Sequence, residues 1–145
     1  RTLIDEHEGL RAVRALMALP GVGPIGAWTL VVELFGWRAI ANRRELAGLA
    51  GLVPSPYNSG AMERDQGISK AGNRRVRALL IQLAWLWLRY QPGSKHSRWF
   101  QERFGGGSKR QRRIGIVGLA RRLVIELWRF AENGVVSEGT RVQIA

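Results

Sequence analysis

Two short segments hold the residues whose types and spacing suit phosphate chemistry. One is Asn58-Ser59-Gly60, and the other is Gly67-Ile68-Ser69-Lys70-Ala71-Gly72-Asn73-Arg74-Arg75-Val76-Arg77. A serine hydroxyl is a poor nucleophile at neutral pH, and it needs a base or an electropositive setting before it attacks phosphorus. Gly60 leaves room for a phosphate beside Ser59, while Lys70, Arg74 and Arg77 carry charge that would stabilise a pentavalent phosphorus. Residue type alone favours reading Ser59 as an ordinary turn serine. Ser69 beside Lys70 is a rival nucleophile, although Ser-Lys-Ala-Gly-Asn also reads as the start of a helix. Tyr57 raises a tyrosine nucleophile, which would need an Arg and His constellation. His7 and His96 sit in no such motif, so Tyr57 is expected to pack or hydrogen-bond within its loop.

Two further features suit the binding of a phosphate backbone. Leu19-Pro20-Gly21-Val22-Gly23-Pro24 lies between two apolar segments in the pattern of a helix-hairpin-helix. Its glycines permit a tight turn, and the amides of Gly21, Val22 and Gly23 at the start of the next helix would offer donors to a phosphate. The same residues would also serve merely to join two packed helices. Later, Lys109, Arg110, Arg112 and Arg113 continue into Arg121 and Arg122, and positions 110, 113 and 121 can share one helix side. That stripe suits a polyanion, or else is a solvated helix start. Of the tryptophans, Trp28, Trp37, Trp85, Trp87, Trp99 and Trp128, most fall at apolar helical positions and are expected in the core. Base stacking is the lesser alternative for Trp37 or Trp99.

The elements that must position these residues are helical. Leu10, Val13, Leu16 and Met17 recur at helical spacing until Pro20 and Gly21 stop the run. A second helix starts at Pro24 and runs through Ala27, Leu30, Val31 and Leu34 to about Phe35. Asn42 and Glu45 resemble a capping box for a short helix through Leu46 and Leu49, which Gly51 ends. Residues 52–72 lack periodicity and read as a long ordered functional loop with a short hairpin near Gly67. Asn73 then caps a helix with Val76, Leu79, Leu80, Leu83, Trp87 and Leu88 on its core face, closed by Pro92 and Gly93. Another helix is expected around Trp99, Phe100 and Phe104, and Gly105-Gly106-Gly107 reads as a flexible joint. The last helix spans about 109–132, with Gly134 as its stop and a frayed tail after Val135. The expectation is one all-α domain over residues 1–145, with the hairpin at about 10–35 and the serine loop sharing one basic face.

Bulk composition narrows the partners. The 145 residues include 23 Lys and Arg against 11 Asp and Glu, a formal net charge of +12, which favours polyanions. The longest apolar run, Ala78 to Leu88, is interrupted by Gln82 and falls short of the roughly 20 residues a membrane span needs, so no membrane partner is expected. Only Asp5 and Asp65 are aspartates, and no spaced acids could hold a pair of magnesium ions, so no metal site is expected here. The lack of cysteine excludes disulfides and thiol chemistry and fits a reducing compartment; the expected location is the cytoplasm. A start at Arg1, without a signal-like opening, reads as part of a longer polypeptide whose missing part lies mostly upstream.

The ordered blocks Pro20-Gly21-Val22-Gly23, Gly51-Leu52-Val53-Pro54, Ser59-Gly60, Ile68-Ser69-Lys70-Ala71-Gly72-Asn73 and the Arg- and Leu-rich helix after them closely resemble the serine domain of insertion-sequence transposases of the IS110 family, recombinases guided by a bridge RNA. The likeness extends from about Leu16 to Asn133 and includes Gly118-Leu119-Ala120-Arg121-Arg122-Leu123. It implies that Ser59 matches the family's nucleophile, which links covalently to a DNA phosphate. It also implies a RuvC-like nuclease domain upstream, absent from this chain, whose acids and Mg2+ complete a composite site. The expected partners are then DNA, a bridge RNA and further copies of the enzyme. The fragment alone would bind nucleic acid without cutting it. The alternative is a helix-hairpin-helix module, without catalysis, that anchors a repair or replication protein on DNA.

Overall fold

Apolar residues three and four apart, broken by Pro-Gly pairs, dictate helices joined by tight turns. A computed structural model has that form over the residues it describes, 3–35, 46, 50, 52 and 74–143. Among these, α1 spans Leu3–Met17 and α2 spans Pro24–Leu30, running into a π-helical turn at Val31–Phe35. Three longer elements follow: α3 (Arg74–Tyr90), α4 (Lys95–Phe104) and α5 (Lys109–Asn133). The fold is all-α, as the periodicity predicts. The loop over 53–72, Trp37 and most of the short helix expected from Asn42 lie outside the described residues. Leu46, Ala50 and Leu52 are described, and all three are buried in the core.

The core forms where α5 meets α1, α3 and α4. Leu119, Leu123 and Leu127 of α5 are fully buried with Leu16 of α1, Leu80 and Trp87 of α3 and Phe100 of α4. Trp87 is satisfied as well as buried, because its Nε1 donates to Ser94 Oγ at 2.8 Å and Ser94 caps α4 by accepting from Ser97 N. The α4–α5 contact is built from rings laid on glycines. A Cβ on Gly115 would stand 2.4 Å from Phe104 Cγ, and one on Gly118 would stand 3.2 Å from Trp99 Cη2. The rings hold one another, with centroids 5.7 Å apart for Trp99–Phe104 and for Phe100–Phe104.

Four local expectations change. Leu10 and Met17 are 45% and 42% exposed, so the buried stripe of α1 is the narrower Val13–Leu16 pair. The second helix widens into a π turn at Val31–Phe35 instead of continuing as α. Gly105-Gly106-Gly107 is a hydrogen-bonded turn and not a free joint: Gly107 N donates to Phe104 O at 3.0 Å, and Ser108 and Gln111 close a capping box on α5. The chain after Val135 is tied down. Gln91, 1% exposed, donates from Nε2 to Pro20 O and Arg141 O and accepts Arg141 N at Oε1.

A second buried polar group holds the same segment. Glu126 of α5 accepts Ser137 N at 2.7 Å and lies 2.8 Å from His96 Nε2. Burial alone would raise this carboxyl; the hydrogen bonds from His96 and Ser137 outweigh it and hold Glu126 below the usual carboxylate range. Lys95 N to Glu138 O and Gln143 N to Ala18 O complete the lacing, so the tail ties the ends of α1 and α3 to the start of α4.

The close approach at Gly115 generates a prediction. Gly115→Val drives two methyl groups into a ring already locked between Trp99 and Phe100, and overpacking of this kind costs roughly 1–3 kcal/mol. Urea denaturation should show that loss, with a milder one for Gly118→Ala. An unchanged midpoint for Gly115→Val would mean that the ring contact does not set the helix spacing.

Candidate nucleic-acid interface

The Leu19–Pro24 motif divides into an inner and an outer part. Leu19 and Val22 are core residues, and Val22 N donates to Leu19 O at 3.0 Å, so the expected amide donor at Val22 is already engaged. Gly21 has φ +101°, which only glycine adopts without strain, and a Cβ there would meet Leu86 O at 3.4 Å and Tyr90 Cβ at 3.5 Å. Its smallness therefore serves packing against the last turn of α3. Gly23 is the outward residue: it is exposed, in extended conformation, with nothing within 4 Å of a Cβ position. Its amide and that of the exposed Ile25 lie at the start of α2, where no intrahelical acceptor exists.

At the start of α3, Arg74 and Arg77 share an open hollow of about 420 Å³ with Ala78 and Ile81. Arg77 is half-buried, and its covered Nε has no partner among the described residues. Ser59, Ser69, Lys70 and Tyr57 lie outside the described residues. The chain entering their loop is fixed at Leu52, which is 1% exposed and whose carbonyl accepts Arg121 Nε at 3.1 Å. Arg121 thus leaves the stripe expected with Arg110 and Arg113. It is half-buried and fastens main chain, a role that helical spacing does not signal.

Lys109, Arg110, Arg112 and Arg113 are all exposed on the first turns of α5, and Arg112 lies 5.9 Å from the ring centroid of the exposed Trp85. Trp85 and Trp28 are 39% and 51% exposed, so neither is among the tryptophans that pack in the core. Neither α3 nor α5 has an acidic residue in its first turn, although the helix dipole favours anions there and disfavours cations. Ion pairing does little to compensate. Among the described residues Arg75–Glu33 at 3.6 Å and Arg98–Glu138 at 3.7 Å are both long and involve an exposed partner. No three His, Asp or Glu side chains of the described residues gather as a metal site, and no described helix is long and apolar enough to cross a membrane.

Comparison with known proteins agrees with the ordered motifs. The model of the transposase IS116/IS110/IS902 family matches residues 13–98. A Sinorhizobium fredii transposase is 48% identical over 125 residues, covering 86% of this chain and 31% of the relative. The transposase for insertion sequence element IS1328 of Yersinia enterocolitica is 30% identical over 124 residues, 83% of this chain and 36% of its own. That for IS1111A of Coxiella burnetii is 33% identical over 106 residues, 67% and 29% of the two chains. No solved structure matches. The chain belongs to the IS116/IS110/IS902 family of transposases. It spans about a third of the length of the curated relatives it matches.

The two glycines of the hairpin should respond differently to substitution. Gly21→Ala places a side chain at a φ that costs on the order of 1–3 kcal/mol and should lower the melting midpoint. Gly23→Ser enters open space at a helix N-cap, where serine is favoured, and should leave the midpoint unchanged or raise it slightly. The opposite order would contradict this division of the motif.

Proposed function

We propose that this chain is the serine-bearing, nucleic-acid-binding part of a transposase that cuts and rejoins DNA strands. The observation that carries the reading is electrostatic: α3 and α5 both begin with arginines and no acid, against the preference of their dipoles. A polyanion relieves that cost, and family membership favours transposition over a repair or replication anchor. In this reading the Gly23 amide, Lys109, Arg110 and Arg113 hold phosphates without reading sequence.

Ser59 is the nucleophile. Its Oγ bonds to phosphorus, a base takes its proton, and the strand's bridging oxygen leaves as a hydroxyl after gaining a proton. Lys70, Arg74 and Arg77 offset charge that builds on the phosphoryl oxygens, and the Arg77 Nε, without a partner among the described residues, suits that task. An upstream RuvC-like domain would supply acids and Mg2+, so this chain alone binds but does not cleave. DNA, a bridge RNA and further copies are the partners, in the cytoplasm.

The test uses the full-length enzyme. Ser59→Ala should fold and bind DNA yet form no covalent protein–DNA adduct, because a loop serine adds little stability whereas a nucleophile is indispensable. Ser69→Ala should retain adduct. Recombination by Ser59→Ala, or a phosphoserine linkage mapped to another residue, removes the catalytic half of the proposal.

A further inference from the structure

Away from the helix starts, two arginines converge on one indole. Trp99 of α4 lies over Gly118 of α5, and Arg122 Cζ stands 4.0 Å and Arg103 Cζ 5.6 Å from its ring centroid. Stacking of this kind holds a guanidinium plane in place while leaving its N–H fork free for hydrogen bonds. The pair is not neutralised. Neither arginine has a carboxylate partner among the described residues, and Glu102, adjacent to Arg103 on α4, makes no ion pair with either. Burial first, and the Arg103 charge second, pull the Arg122 guanidinium below its ordinary value. The indole Nε1 is covered and has no acceptor among the described residues. The place therefore offers positive charge and guanidinium donors, with no carboxylate among the described residues to meet them.

Arg122 is half-buried with its guanidinium 4.0 Å from the ring centroid, so an incoming phosphate meets a fork that has already lost part of its conformational freedom. A phosphate oxygen pair matches each fork bidentately. We propose that Arg103 and Arg122, stacked on Trp99, form a phosphodiester-binding clamp distinct from the basic starts of α3 and α5. Arg122 lies 13 residues beyond Lys109 on α5, about 20 Å along the axis at 1.5 Å per residue, so the clamp is a separate place from the start of that helix. The clamp rests on the nucleic-acid reading above and adds a second contact to it.

The experiment measures binding of the 145-residue chain to a labelled DNA duplex and to a labelled single-stranded RNA across a salt series. For the parent chain, log K should fall linearly with log salt on at least one probe. Arg103→Gln should make the slope shallower by about one phosphate contact, and the Arg103→Gln/Arg122→Gln pair by about two. A change on the duplex alone assigns the clamp to DNA, on RNA alone to RNA, and on both to the shared backbone. Arg122→Lys keeps the charge and loses the stacked fork, so it should weaken affinity while keeping most of the slope. Arg103 is exposed, so Arg103→Gln decides the matter even where loss of Arg122 lowers the melting midpoint. Unchanged slopes on both probes overturn the clamp. Salt-insensitive behaviour of the parent chain on both overturns the nucleic-acid reading itself.

Discussion

Much of the structure depends on how closely α4 can lie on α5, and two missing side chains set that distance. Phe104 and Trp99 occupy the space over Gly115 and Gly118, so the aromatic rings pack against the helix backbone as well as against one another. This contact orients the whole of α4. It places Phe100 in the core beneath Trp85, with centroids 6.3 Å apart, brings His96 to Glu126, and sets Arg103 and Arg122 over one ring. Glu126 and Gln91 hold the chain after Val135, and Gln91 also braces the turn at Pro20. The turn is thus a part of the core whose outer edge is open.

The second organising feature is positive charge left without partners. With 23 basic and 11 acidic side chains, even complete pairing would leave a surplus, and the arrangement enlarges its effect. Arginines occupy helix starts where carboxylates would be preferred, and the one well-buried acid among the described residues, Glu126, is engaged with His96 and Ser137. A fold selected for stability alone would reverse some of these choices. The stable core of leucines, Trp87 and Phe100 tolerates them, so the cost falls on the surface, where a polyanion can remove it.

The helices were legible because apolar spacing and Pro-Gly stops are local signals. The extents of α3 and α5, with Gly134 closing α5 at φ +72°, follow directly from them. The family was legible through the ordered Gly, Ser, Lys and Arg blocks, and the comparisons agree. What the sequence did not disclose depends on contacts far apart in the chain. Gln91 bonds to residues 71 and 50 positions away, and no periodicity marks a glutamine for that task. Arg121 looked like one more basic residue because its distinguishing partner is a carbonyl 69 residues earlier. Gly21 and Gly23 look alike in the motif, yet only one of them faces α3. For Trp99, type and spacing offer core packing or base stacking, whereas the arginine laid over it, Arg122, comes from another helix.

On the proposed reading, like charges on this surface repel one another and nucleic acid relieves that repulsion. The most direct measurement is the melting midpoint of the chain as sodium chloride is raised from low ionic strength, with and without a DNA duplex. Repulsion between like charges is screened by salt, and a ligand that binds only the folded state stabilises it. The account predicts a midpoint that rises with salt in the free protein and rises on adding duplex at low salt. A midpoint that falls as salt is added, and that does not move with DNA, would contradict it.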